Sequence, residues 1–138
     1  MSPRETIMQF LKTELDGIGA GVDVYRSRLV PVTRTANKAL LLYWSRDQII
    51  EATVGNTLIR QLTVHTDIIA RGALPDSLAD ATVIAAHAIV MADPTCNGAS
   101  GDIEEIDMRA ELESADQDAA IVRRAYVVKY VSAKNADT

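Results

Sequence analysis

The sequence predicts an α+β domain over residues 1–138: a single mixed or antiparallel sheet of about five strands, in the order α-β-β-β-α-β-β, with two helices packed on one face. Three observations predict it. Apolar residues recur at helical spacing at Ile7, Phe10, Leu11 and Leu15, and a second, nearly all-apolar helix opens at Pro75 and runs to about Ala92. Leu58–Arg71 alternates with a period of two, and the last third of the chain folds back on itself with matched charges.

Taken in order, Ser2-Pro3-Arg4-Glu5 is a helix start. Ser2 can accept from the Glu5 amide, Glu5 can reach back, and proline suits the first helical position. Gly17, Gly19 and Gly21 end this helix; no strand precedes them and no helix follows, so they are not a phosphate-cradling loop. Val22–Val32 reads as a strand with Val22, Val24, Val30 and Val32 on one parity, limited by Pro31, which cannot donate to a ladder. Thr33–Lys38 is a polar loop. Ala39–Trp44 is a continuous apolar run, expected as a strand buried on both faces and broken by Ser45-Arg46-Asp47. Gly55-Asn56 marks a turn before Leu58–Arg71, whose polar parity carries Gln61, Thr63, His65 and Asp67.

The second helix opens at Pro75-Asp76-Ser77, with Asp76 or Ser77 as its cap. It is apolar nearly all round, which predicts cover on most sides by the sheet and by the first helix or a second subunit. Asp93-Pro94 stops it, and Asn97–Gly101 reads as a flexible loop. For the closing hairpin, a turn at Asp116-Gln117-Asp118 sets Ala115 opposite Ala119. Glu111 then meets Arg123 and Glu105 meets Lys129, while Leu112 meets Val122, Met108 meets Tyr126 and Ile106 meets Val128. One face would be core; the other would carry Glu105, Asp107, Arg109, Glu111 and Glu113.

Composition narrows the function. Hydrophobic residues make up 48%, enough for a core, and aromatics only 4%. Apolar runs are too short to cross a bilayer and no signal pattern opens the chain, so no membrane is expected. The single cysteine, Cys96, excludes an intrachain disulfide and fits a reducing cytoplasm. A net charge of −5 argues against tracking phosphates. His65, His87 and Cys96 share no metal-ligand spacing, and Cys96 has no histidine nearby in sequence. No catalytic, cofactor-binding or metal-ligating residue is expected. Charge is nonetheless uneven: Arg26, Arg28, Arg34, Lys38 and Arg46 are all basic, whereas carboxylates dominate Asp102–Asp118. This pattern nominates a subunit interface between Arg26, Arg28, Arg46 and Asp47 on one side and Glu105, Asp107 and Glu111 of a neighbour on the other.

The strand Leu62–Gly72 leads through a short turn into the apolar helix, which ends Ala92-Asp93-Pro94-Thr95. A glycine-containing loop, Asp102-Ile103-Glu104 and a last strand Ala125-Tyr126-Val127-Val128-Lys129-Tyr130 follow, with Val24-Tyr25-Arg26-Ser27-Arg28 earlier. This layout resembles the tail-terminator and minor tail (tail-completion) proteins of long-tailed bacteriophages. Their loop after the proline is less polar than Thr-Cys-Asn-Gly-Ala-Ser-Gly here. The resemblance implies a non-enzymatic virion protein without cofactors, assembled in the host cytoplasm. It would form a ring, a hexamer in that family, on the head-proximal end of the tail tube, where it would stop tube polymerisation and join the neck or head-completion protein. DNA would pass through without sequence-specific binding. A neck or head-completion ring is the near alternative; a small ligand-binding domain or metabolic enzyme is the distant one.

Overall fold

The computed structural model describes residues 2–19, 21–26, 38–52, 55–72, 75–114 and 118–133. Its elements are α1 (Pro3–Leu15), β1 (Val22–Arg26), β2 (Lys38–Ala52), β3 (Thr57–Arg71), α2 (Pro75–Met91), β4 (Asp102–Ser114) and β5 (Asp118–Ala133). The fold is α+β, and the sheet is mixed. Its strand order is β1-β2-β3-β5-β4, with β1 parallel to β2 and the other pairs antiparallel.

Both helices lie on one sheet face. Ile7, Met8, Leu11 and Leu15 of α1 and Ala79, Val83, Ala86 and Val90 of α2 meet Leu40, Leu42, Leu62, Val64, Ile68, Tyr126, Val128 and Tyr130 in one core. The spacing of three and four within each helical set gives each helix one inward stripe. At the start of α1, Ser2 Oγ accepts from the Glu5 amide at 3.1 Å. Glu5 does not close the capping box as expected, because both its oxygens are taken by Arg26 at 2.6 Å.

The helix α2 begins at Pro75, which places Asp76 and Ser77 inside its first turn and not before it. Within the single chain the outer side of α2 is open: Ser77, Asp80, Ala81, Ile84 and Ala88 are exposed, Ile84 at 63%. Alanines raise the hydropathy of this helix but present so little apolar area that leaving them wet costs little. After α2, the expected flexible loop is a tied turn. Asp93 accepts from the Thr95 and Asn97 amides and the Thr95 hydroxyl, and Ser100 Oγ donates to the Pro94 carbonyl. Cys96, at 1% exposure, belongs to the core and not to a mobile segment.

The strand β1 takes only the first part of the expected Val22–Val32 strand. The rest, with Pro31, Arg28, Arg34 and the Thr33–Asn37 part of the polar loop, lies outside the described residues. Ser45-Arg46-Asp47 does not end β2, which runs on to Ala52 through irregularities between Trp44 and Arg46 and between Ile49 and Glu51. A bulge absorbs a residue without breaking the strand and resets which parity faces the core. Nor is Ala39–Trp44 buried throughout: Leu41 and Tyr43 are half-buried and Trp44 is exposed.

The hairpin register differs from the expected one by two residues. Arg109 faces Arg123, Glu111 faces Ile121, Leu112 faces Ala120 and Met108 faces Arg124. A further shift between Glu105 and Asp107 leaves Ile106 outside the pairing and puts Glu105 opposite Tyr126 and Ile103 opposite Val128. An even slip preserves faces, so Asp107, Arg109 and Glu111 stay together on the helix-free side; past the bulge, Ile103 and Glu105 turn to the helix side. Ile106, Met108 and Leu112 are not core, being 53%, 51% and 70% exposed. Ala115, Asp116 and Gln117 of the expected turn lie outside the described residues.

Candidate functional site

On the helix-free face, the polar parity of β3 builds one connected network. Tyr43 sits directly opposite His65, and their rings stack at 4.9 Å. The Tyr43 hydroxyl donates to Asp67 Oδ2 at 2.9 Å, and Ser45 Oγ is hydrogen-bonded to His65 Nε2 at 2.6 Å. Arg123 lies 3.9 Å from Asp67 and 3.7 Å from Glu111, while Arg109 pairs with Asp107 at 3.1 Å. Tyr43, His65, Asp107, Arg109, Arg123 and Ala125 help line a shallow hollow of about 120 Å³.

Burial dominates the proton affinities here. It raises Asp67 above the usual carboxylate value, against the Tyr43 hydrogen bond and the Arg123 charge, and with the same bond it pushes Tyr43 up to about 12. Burial also lowers His65, helped by Arg109 and opposed by Asp67, so neutral imidazole is favoured. The Ser45–His65 contact places a hydroxyl beside an imidazole. Asp67, however, gives Oδ2 to Tyr43, and its buried Oδ1 has no hydrogen-bond partner. The surrounding amides are spent in the strand ladder, which leaves the side chains of Arg109 and Arg123 as cationic donors lining the hollow.

The lowered His65 value yields a pH prediction. In the unfolded chain His65 takes a proton near 6.5, and in the folded chain only at lower pH. Protons therefore favour unfolding, and stability falls as pH drops from 6.5 through the folded value. A His65→Gln variant should lose that part of the slope in urea denaturation across this window. An unchanged slope would show that another group carries it.

On the helix side, two further clusters form where sheet meets helix. Asp47, with its side chain 7% exposed, accepts from Tyr130 Oη and from Arg4 Nη1, and Arg60 approaches its Oδ1 at 3.8 Å. That last distance is an ion pair without a hydrogen bond, consistent with Oδ1 being unpartnered. Arg4 also covers the Trp44 ring at 4.8 Å. The second cluster joins α2 to β4 and β5. His87 Nδ1 is hydrogen-bonded to Tyr126 Oη at 2.9 Å and lies 3.6 Å from Glu105, which pairs with Arg124 at 2.7 Å. Burial raises Tyr126, whose hydroxyl also bonds Thr66.

The nominated interface residues thus separate. Arg26 is held by Glu5, Asp47 by Arg4 and Tyr130, and Glu105 by Arg124, all within the chain. Arg46, Asp107 and Glu111 are exposed, and Arg28 lies outside the described residues. Sequence reasoning missed the Tyr43–His65–Asp67–Arg123 network, although Asp67 on the polar parity of a strand otherwise fit for burial was a usable signal. Among the described residues no group of three or more His, Cys, Asp or Glu could hold a metal ion, and no helix is long and apolar enough to cross a membrane. No protein-family model matches the chain, and no curated protein matches it.

Proposed function

We propose that this chain is a structural assembly protein, a tail terminator that caps a phage tail tube as a ring, ends tube polymerisation and offers the joining surface for the neck. The observation that carries the reading is apolar surface left open at one edge of the sheet. The edge strand β4 is covered by the helices only in part: Ile103 is buried in the core, whereas past the bulge the helix-side residues Met108 and Leu112 are apolar and exposed. Apolar side chains facing water beside an open edge support association with another protein surface. The order of elements supports the same reading through its likeness to tail-terminator proteins.

Tails made with and without the chain test it by electron microscopy. Termination predicts overlong tubes in its absence. Tubes of normal length lacking heads would point to a neck ring, and normal joined tails would remove the chain from tail assembly. The hollow beside Arg109, Arg123 and His65 favours one second reading, a small-ligand domain. That reading requires a saturable ligand-induced rise in melting temperature, lost in an Arg123→Ala variant.

A further inference from the structure

The hollow on the helix-free face exists because one small residue stands in a row of large ones. Across four strands the register aligns Tyr43, His65, Ala125 and Asp107; two residues along β5, on the same face, it aligns Asp67, Arg123 and Arg109. Ala125, 8% exposed, is the floor, since its methyl group leaves space that the neighbouring side chains do not fill. His65, stacked on Tyr43, forms one wall, and Asp107 and Arg109 of β4 form the other. Arg124 turns its side chain to Glu105 and Met108 on the helix side. Among the described residues, the cations that face the hollow are therefore Arg109 and Arg123.

These two arginines stand directly opposite each other on neighbouring strands. Like charges so placed repel, and an anion lying between them removes the conflict. The chain's own carboxylates do this poorly. Arg123 is 3.7 Å from Glu111 and 3.9 Å from Asp67, both longer than a hydrogen bond. Asp107 meets Arg109 at its Nε, at 3.1 Å, and not at the forked end of the guanidinium. The forks thus keep donors for an outside oxygen, and planar paired N–H groups match the oxygens of a phosphate. Size agrees. At about 120 Å³ the hollow falls below the roughly 300–1,000 Å³ of pockets for drug-sized molecules, and suits one tetrahedral group. Charge narrows the occupant further. Asp102, Glu104 and Glu111 line the same face of β4 and would repel a polyanionic backbone, so a nucleic acid does not fit.

We infer that this hollow is an anion site in which Arg109 and Arg123 together hold one phosphate group, free or at the end of a small molecule whose remainder stays in water. It rests on the small-ligand reading of the hollow, for which it names the ligand chemistry, and not on the ring. A bound phosphate also relieves the opposition between the two arginines, and so fastens the edge strand β4 to β5 at the level where they face each other.

Titration of the full chain with inorganic phosphate at constant ionic strength, followed by NMR of backbone amides and arginine Nε–H groups, tests this. Saturable shifts sharing one dissociation constant are expected at Arg109, Arg123, Ala125 and His65. General exclusion of phosphate from protein surfaces gives no such local saturation. Arg109→Gln and Arg123→Gln, both at exposed positions, should each weaken binding about tenfold or more, after circular dichroism confirms folding. Lys129→Gln, on the same face of β5 but away from the floor, should leave the constant within about twofold. Methyl phosphate, titrated in parallel, separates the two sources: binding as tight as inorganic phosphate assigns the end of a larger molecule, and much weaker binding assigns the free anion. Absence of saturable shifts, shifts at basic side chains without a common constant, or equal weakening by Lys129→Gln overturns the site. A chain blind to phosphate that still binds another small molecule, with that binding lost in Arg123→Ala, would discard this assignment and keep the small-ligand reading.

Discussion

A chain lacking residues 1–16 is expected to stay unfolded, with no cooperative urea transition and no dispersed amide spectrum. The helix α1 contributes Ile7, Met8, Leu11 and Leu15 to the core, each at most 1% exposed. Burying one such side chain is worth about 1.5–3 kcal/mol, so together they supply roughly 6–12 kcal/mol. Domains of this size are stable by only about 5–15 kcal/mol in total. The loss is compounded, because Leu40, Leu42 and the partly buried Val22 and Val24 would then face water. Removing α1 also frees Arg26 from Glu5 and Asp47 from Arg4, leaving a half-buried aspartate short of a cation. A single substitution grades the same effect: Leu11→Ala should cost about 2–5 kcal/mol. A truncated chain that unfolds cooperatively, at a urea midpoint near that of the full chain, would show that α1 only rests on the sheet.

The elements themselves were legible in the sequence because their signals are local. The stripe Ile7, Leu11, Leu15, the alternation of β3 and the length of α2 each follow from one segment's periodicity. What failed was set by events between segments. The hairpin charges fitted a register two residues away from the observed one, since Glu111 still reaches Arg123 diagonally at 3.7 Å. Exposed ion pairs are worth too little to choose between registers that keep the same faces. The bulge around Ile106 has no composition signal, yet it decides that Glu105 turns toward His87 and Arg124. Charge by segment has a related blind spot. A basic segment and an acidic one suggested contacts between subunits, but Arg26 and Asp47 face α1, whose Glu5 and Arg4 carry the complementary charges. Net charge by segment cannot show that a helix over twenty residues upstream in sequence already satisfies it.

Replacing Asp47 with alanine should destabilise the chain by about 3 kcal/mol, the low end for losing one partner of a buried ion pair. The low end applies because Arg4, at 26% side-chain exposure, can turn to water, whereas Tyr130, at 2%, cannot. The buried Tyr130 side chain would lose its bond to Asp47, and Arg60 would lose its nearest carboxylate while keeping Ser132. Asp47→Asn keeps an acceptor oxygen and should cost less than half as much. In the Asp47→Ala background, Tyr130→Phe should cost less than it does in the wild-type chain, since the bond between the two side chains is already gone. Concentration separates this structural role from an interface role. A loss that acts inside the chain shifts the urea midpoint equally at every protein concentration, whereas a residue that works between copies has an effect that grows with concentration. A destabilisation below about 0.5 kcal/mol would mean Asp47 is not what fixes β2 after its bulge. A concentration-dependent loss would return Asp47 to the surface between copies, and with it the basic edge of the sheet.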